Sequence, residues 1–156
     1  MCDTVGEGRL SPWRLADLSA PERALLTGFR RWFRDGTAGA MTAMRAGFNV
    51  AGIPNTALLP LFALLGTFAV TEAGRPEIRC PACSRLGMDE MVLLDALAAM
   101  QAGEEDVATQ LLDRWLPVVA LCMAVDAARE LAGILDGACI RLPRRRPARL
   151  IAVAAE

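Results

Sequence analysis

The chain has 156 residues, of which 54% are apolar and 22% are charged, and its net charge is -1. This length and this apolar content predict a single globular domain with its own core and argue against disorder. All 17 basic residues are Arg, and the sequence contains no His, Lys or Tyr. That composition excludes Walker-type phosphate loops, Schiff-base enzymes, His-activated nucleophiles and His-ligated metals.

Composition also predicts where the protein acts. Residues 1–10 contain acids and no apolar run, so they predict no secretory signal. The use of Arg in place of Lys, together with abundant Ala, is typical of a bacterial coding bias. Five cysteines in a sequence without a secretory signal favour a reducing cytoplasm, in which thiols stay free. The longest uncharged stretch, 46–71, is interrupted by Pro54 and Pro60, so we expect a buried helix there and not a membrane span.

The first predicted helix covers residues 19 to 34. Ser19 followed three residues later by Glu22 is the signature of a capping box, and Asp35-Gly36 predicts the helix end. Five apolar residues share one face at 100° per residue: Leu25, Leu26, Phe29, Trp32 and Phe33. Three arginines lie close together on the other side: Arg23, Arg30 and Arg34. This Arg stripe could bind phosphate or an acidic partner, although a solvated face is the default interpretation.

Two more helices are predicted before residue 72. The second, 37–48, is weakened by Gly39 and Gly47, and the third, 56–71, is apolar on every face, which predicts burial on all sides. Five of its residues would form either core or the lining of an apolar pocket or dimer face: Leu58, Leu61, Phe62, Leu65 and Phe68. Core is the default, since apolar helical stripes usually pack.

A connection rich in Gly and Pro leads into three further predicted helices, 88–102, 104–116 and 118–136. Acidic residues open the first two, where the helix dipole favours them, and Gly residues end the first and third. Cys122 lies inside an apolar helix, where a small core residue is expected. Pro143 and Pro147 bracket a run of Arg that cannot continue a helix, and we expect this tail to be exposed.

These elements predict an all-α, single-domain bundle of five or six helices around a buried central apolar helix. The predicted organisation is an N-terminal arm (1–17), an N-terminal three-helix half (18–71), a connection (72–87), C-terminal helices (88–137) and a basic tail (138–156).

Cys80-Pro81-Ala82-Cys83 in the connection is the sharpest motif. Its spacing lets both sulfurs face one point, which suits a thiolate zinc site or a reversible disulfide. A structural zinc normally takes four ligands, so the metal hypothesis needs Cys139 and a further ligand, or the same pair from a second subunit. Thiols with neither role are the default interpretation.

This motif resembles half of a zinc ribbon and the CPxC of zinc-hook dimers, over four residues that transfer neither fold nor function. It is also similar to the CxxC of the all-helical alkylhydroperoxidase D and carboxymuconolactone decarboxylase group. That group adds a His after the second Cys, and residues 84–87 supply none.

Charge is distributed in blocks, with an acidic segment at 86–140 between two basic ones. Pairing within the fold is the default interpretation, and the acids at helix starts are explained by capping. The run Arg144–Arg146 could suggest a nucleic-acid binder, but a net charge of -1 argues against that class.

Two functional hypotheses follow. The first is a non-enzymatic bacterial binding or regulatory module that acts through a protein partner or self-association, with zinc at the Cys-Pro-Ala-Cys turn as an option. The alternative is a thiol redox enzyme or redox sensor that uses Cys80 and Cys83. The first is favoured because general acid–base catalysis near neutral pH lacks His.

Overall fold

The computed structural model describes residues 10–71 and 74–145. Parts of three predicted segments lie outside these residues: 1–9 of the N-terminal arm, 72–73 of the connection and 146–156 of the tail. The described elements follow in chain order: β1 (Leu10–Arg14), α1 (Ala20–Ala51), α2 (Leu58–Ala69), β2 (Arg85–Gly87), α3 (Met88–Gln101), α4 (Glu105–Asp113) and α5 (Val118–Gly137). The predicted all-α class is confirmed.

Helix α1 begins with the predicted capping box. The backbone N–H of Ser19 donates to Glu22 Oε2 at 2.7 Å, and the N–H of Glu22 donates to Ser19 Oγ at 3.4 Å. These two bonds satisfy donors that the first helical turn leaves without partners. The start of the first helix is therefore encoded locally, as the sequence predicted.

Helix α1 is bent sharply at Gly36, which has φ 74° and ψ -176°. This backbone region is open essentially to Gly alone. A Cβ built on Gly28 would lie 3.0 Å from Cε of Met44, although each residue is about 12 Å along its own arm from the bend. The two arms, 20–35 and 37–51, therefore fold back on each other as an antiparallel hairpin, which corresponds to the two helices predicted there.

The buried central helix is α3, where every residue from Glu90 to Gln101 is buried. It packs against α4 and α5, while α2 packs mainly against α5. Each fully buried Leu on these helices contributes about 1.5–3 kcal/mol through the hydrophobic effect. The core is therefore built around a helix that the sequence did not single out.

Helix α2 differs from the prediction that it is buried on all sides. Leu58, Leu61, Leu65 and Phe68 lie in the core and Phe62 is half-buried, but Leu59 is 75% exposed. The reason is geometric, because α2 lies on the outside of the bundle and none of residues 10–71 and 74–145 covers one of its faces. The absence of charged residues in this segment predicted an apolar helix, but it did not predict how far each face of the helix is buried.

A two-stranded sheet, which the sequence did not predict, joins the N-terminal arm to the connection. Strand β1 pairs antiparallel with β2, with Leu10 opposite Gly87 and Arg14 opposite Arg85. The N–H of Leu15 then donates to the carbonyl of Ser84 at 2.8 Å. The sheet thereby places the Cys-Pro-Ala-Cys turn beside α1 and the start of α3.

No helix among the described residues combines the length and the apolar character needed to cross a membrane.

Candidate functional site

Arg30 and Glu90 form a buried ion pair between α1 and α3. Arg30 Nε donates to Glu90 Oε1 at 2.8 Å and Arg30 Nη2 donates to Oε2 at 2.9 Å. The side chains are 1% and 0% exposed. Such a two-pronged contact fixes orientation as well as distance, because the planar guanidinium matches the carboxylate.

The same pair holds the backbone on both sides of the Cys-Pro-Ala-Cys turn. Arg30 Nη1 donates to the carbonyl of Cys83 at 2.6 Å, and Nη2 donates to that of Arg85 at 3.0 Å. The Glu90 carboxylate accepts the N–H groups of Arg79 at 3.0 Å and Gly87 at 2.9 Å. The turn is therefore anchored by one buried cation and one buried anion, which satisfy each other and the backbone.

Cys83 is a half-buried free thiol with a cationic neighbour. Arg79 Nε donates to Cys83 Sγ at 3.1 Å. Burial alone would raise the pKa of this thiol, but the hydrogen bond from Arg79, a backbone N–H bond and the nearby Arg charges outweigh it, so the pKa is lowered. A lowered pKa increases the thiolate fraction near neutral pH, and the thiolate is the nucleophile.

Cys80, unlike Cys83, is not a free thiol. Its backbone carbonyl accepts the N–H of Cys83 at 3.1 Å, which closes the predicted turn. Cys80 is disulfide-bonded, whereas Cys83, Cys122 and Cys139 are free. In this structure Cys80 and Cys83 therefore do not form a pair of thiolates, and the expectation of free thiols throughout does not hold for Cys80.

The predicted metal ligands do not come together. Gln101 Nε2 donates to the carbonyl of Ile140 at 2.8 Å, which places Cys139 at the carboxyl end of α3. Cys83 lies at the amino end beside Glu90, and the helical rise between Glu90 and Gln101 is about 16 Å. In the part of the chain that the structure describes, no three Cys, Asp or Glu side chains are grouped to hold a metal ion.

The structure also separates the three arginines of the predicted Arg stripe. Arg30 is buried against Glu90, whereas Arg23 and Arg34 are exposed. Arg30 lies on the same side of α1 as the other two, but of the three arginines the connection covers only Arg30. The exposed positive charge of α1 is instead supplied by four residues, Arg23, Arg31, Arg34 and Arg45, and Asp35 is also exposed.

An apolar groove runs along one face of the α1 hairpin and has a volume of about 400 Å³. Met44 lies at its floor, Val50 at its edge is 89% exposed, and Arg23 and Arg31 also line it. Most other lining residues are small: Ala20, Ala24, Thr27, Gly28, Ala43, Ala46, Gly47 and Ala51. Sequence reasoning missed this groove, because it depends on how the two arms fold back at Gly36.

Arg144 and Arg145 of the basic tail are half-buried and not exposed as predicted. Arg144 pairs with Asp95 and Glu104 of the acidic segment, and Arg145 Nε donates to Glu22 Oε1 at 2.9 Å. The Arg145 guanidinium also lies 4.3 Å from the centre of the Trp13 ring. These contacts agree with the default interpretation that the charge blocks pair within the fold.

Cys122 is exposed on α5, so the expectation of a core residue is wrong. The exposed face of α5 starts with Val118 and Val119, each 75% exposed, and includes Met123 at 61%. The buried side of α5 is formed largely by Ala. The apolar residues of this helix therefore lie on both its buried and its exposed side, and the sequence did not indicate on which side Cys122 lies.

Comparison with protein-family models, with curated proteins and with solved structures finds no match to this chain.

Proposed function

We propose that this protein is a non-enzymatic binding module whose α1 groove receives an amphipathic, acidic helix of a protein partner. The observation that carries the proposal is the apolar groove with two exposed Arg at its lining. Helix-in-groove recognition needs an apolar trough for one face of the incoming helix. Exposed apolar surface of this kind, bordered by polar residues, is typical of interaction sites.

The dimensions of the groove support a helical occupant. On the first arm it extends from Ala20 to Arg31, which corresponds to about 17 Å of helix. About three turns of an incoming helix match that length. The Ala and Gly side chains of the lining leave room for its larger apolar residues, and Met44 at the floor is a flexible side chain that adapts to different shapes.

Charge supports an acidic occupant. Arg23 and Arg31 lie in the groove, and Arg34 and Arg45 are exposed elsewhere on α1. Glu22 is buried against Arg145, so Asp35 is the one exposed acid of α1, 3.6 Å from Arg31 and 3.8 Å from Arg34. The four exposed Arg therefore leave the surface of this helix with a net positive charge. Complementary charge at the rim accelerates association and selects against basic partners.

A matched pair of variants tests this proposal with a designed probe. The probe is a fluorescent peptide with Leu at positions i, i+4 and i+7 and Glu on the flanks, and the control peptide carries Arg in place of Glu. We expect the acidic peptide to bind and Val50→Glu to weaken binding about tenfold, or about 1.4 kcal/mol. Asn49→Glu adds the same charge to the neighbouring exposed position, which does not line the groove, and should leave the affinity unchanged.

Equal binding of both peptides, or equal loss in both variants, would contradict the groove as the binding site. Circular dichroism of each variant checks that the fold is intact. Both substituted positions are exposed, so little change in stability is expected.

A second candidate function, redox sensing, is favoured by Cys83. The Arg79 contact at 3.1 Å stabilises its thiolate, and the neighbouring Cys80 is already oxidised to a disulfide. Our proposed location is the bacterial cytoplasm, where disulfides are usually transient or redox-sensing. The redox hypothesis therefore narrows from a Cys80/Cys83 dithiol to Cys83 as the responsive thiol.

A further inference from the structure

Cys80 and Cys83 are the first and last residues of one tight turn. The backbone N–H of Cys83 donates to the carbonyl of Cys80 at 3.1 Å, with Pro81 and Ala82 between them. The first and fourth residues of such a turn have Cα atoms less than about 7 Å apart. A disulfide bridges Cα atoms that are about 4.4–6.8 Å apart. The turn therefore holds the two cysteines in the range that a disulfide can span.

The buried ion pair fixes this geometry. Arg30 Nη1 donates to the carbonyl of Cys83 at 2.6 Å, and Glu90 Oε1 accepts the N–H of Arg79, the residue before Cys80, at 3.0 Å. Arg30 and Glu90 are themselves joined at 2.8 Å. Both ends of the turn are thus attached to one buried pair, so the two cysteines cannot move apart without breaking a hydrogen bond to that pair.

The turn combines a nucleophile with an electrophile. Cys83 is a free thiol whose Sγ accepts a hydrogen bond from Arg79 Nε at 3.1 Å. Burial opposes ionisation of this thiol, but that hydrogen bond, a backbone hydrogen bond and the charges of Arg79 and Arg30 outweigh it, so the pKa of Cys83 is lowered. Cys80 is disulfide-bonded, and a thiolate attacks a disulfide sulfur directly. The two groups that thiol–disulfide exchange needs are therefore neighbours in one turn.

The cysteine content limits which residue of the chain can be the partner of Cys80. Of the five cysteines in the sequence, Cys83, Cys122 and Cys139 are free. The fifth, Cys2, lies outside the described residues and is the one that remains.

We propose that Cys80 and Cys83 form a thiol–disulfide exchange site, in which the thiolate of Cys83 attacks Sγ of Cys80 and releases Cys2. One S–S bond breaks at Cys80, and one forms between Cys80 and Cys83. The electron pair of the broken bond leaves on the sulfur of Cys2, which takes a proton from water. The number of disulfides is unchanged, so the step needs neither an oxidant nor a reductant.

The exchange changes which parts of the chain are cross-linked. Before it, the disulfide joins the turn to the second residue of the chain, and after it the disulfide joins the two ends of the turn alone. This inference rests on the second candidate function, redox sensing by Cys83, and is independent of the α1 groove. It names the group that the responsive thiol attacks, which is a disulfide of the protein itself.

Thiol trapping tests the exchange in the full chain with Cys122→Ser and Cys139→Ser, purified without reductant. A polyethylene glycol maleimide labels a released thiol irreversibly, and peptide mapping after acid quenching identifies the labelled cysteine and the disulfide that remains. We expect the label on Cys2 together with a disulfide between Cys80 and Cys83. Cys83→Ser in the same background removes the nucleophile, so the label on Cys2 should be lost.

The other outcomes separate the exchange from redox sensing. Label on Cys83 alone, with the Cys80 disulfide intact, would overturn the exchange but keep Cys83 as a reactive thiol. Label on neither Cys2 nor Cys83 would overturn both. Label on Cys2 in the Cys83→Ser variant would show that Cys83 does not release it, and would overturn the exchange.

Arg79→Gln gives a second readout, because Arg79 supplies the hydrogen bond that stabilises the Cys83 thiolate. Labelling of Cys2 should become severalfold slower, since the loss of thiolate outweighs the accompanying gain in its nucleophilicity. Arg75→Gln removes an exposed Arg from the same connection and should leave the rate unchanged. Equal rates in the two variants would contradict attack by the Cys83 thiolate and overturn the proposal.

Discussion

Arg30 Nη1 donates a 2.6 Å hydrogen bond to the carbonyl of Cys83, while its Nε donates to Glu90 at 2.8 Å. One buried side chain thus ties the Cys-Pro-Ala-Cys turn to α1 and to α3. A buried charge that loses its partner is costly, because neither water nor another group replaces the interaction. The stability of this region therefore depends on both members of the pair.

Arg30→Met should lower the free energy of unfolding by about 3–5 kcal/mol, since Glu90 would remain buried without its cation. The double variant Arg30→Met/Glu90→Met should cost less than the sum of the single variants. Arg34→Met, an exposed control, should change stability by less than about 1 kcal/mol. Urea unfolding measures these three variants and the single variant Glu90→Met, and additive losses at positions 30 and 90 would contradict the pairing.

Arg145→Gln should make the protein more sensitive to acid. The pKa of Glu22 is lowered because hydrogen bonds from Arg145 and Ser19, with the charge of Arg145, outweigh the opposing effect of burial. A lowered carboxyl pKa stabilises the fold above the pKa of the unfolded state, and this contribution is lost as pH falls through the folded-state pKa. Without Arg145, the acid-unfolding midpoint should move to higher pH.

The control for that experiment is Arg141→Gln, since Arg141 is exposed and lies 3.3 Å from Asp136. Its acid-unfolding midpoint should stay at that of the wild type. Equal shifts in the two variants would mean that net charge, and not the Arg145–Glu22 contact, sets the acid sensitivity.

Cys83 should be alkylated at lower pH in the folded protein than in the unfolded chain. Iodoacetamide rates in a Cys122→Ser/Cys139→Ser background, without reductant, report the Cys83 thiolate as pH rises. Arg79→Gln should move the half-maximal rate to higher pH, because Arg79 supplies the hydrogen bond that lowers the pKa of Cys83. Arg75 is an exposed neighbour in the chain, and Arg75→Gln should leave the pH profile of alkylation unchanged. Identical pH profiles for the two variants would contradict the role of Arg79 in lowering the pKa of Cys83.

Gly36→Ala should destabilise the protein by about 1–3 kcal/mol, since the backbone at φ 74° and ψ -176° lies in a region essentially closed to residues with a Cβ. Gly52→Ala should cost less, because φ 75° and ψ 17° lie in the left-handed helical region that other residues visit at a cost of about 1–2 kcal/mol. Thermal unfolding compares the two variants. Equal stability of Gly36→Ala and wild type would contradict the bend.

Local signals in the sequence were sufficient for the helix starts. Ser19 with Glu22 specifies the start of α1 by itself, and Glu90 accepts the Gly87 N–H as expected of an acid in the first turn of α3. The second role of Glu90, as partner of Arg30, depends on a contact between residues far apart in the chain. A helical wheel gives the side on which Arg30 lies but not the segment that covers it.

Burial depth was predictable only in part. The uncharged segment of α2 exposes Leu59, whereas α3 is buried although it contains Glu90, Asp95 and Gln101. The side chains of these three residues hydrogen-bond to Arg30, to Arg144 and to the end of α5, respectively. A prediction based on charge content alone therefore chose α2 and not α3 as the central helix. The α1 groove was equally hidden, because the residues on its two sides meet only through the bend at Gly36.

Methyl NMR of Met44 tests the proposed function most directly, since this side chain forms the groove floor and is 2% exposed. With 13C-methyl methionine, the acidic amphipathic peptide should shift the Met44 resonance and leave that of Met100, within α3, in place. The peptide with Arg in place of Glu should shift neither. A bound acidic peptide that leaves the Met44 methyl unmoved, or no binding at all, would contradict the groove as the partner site.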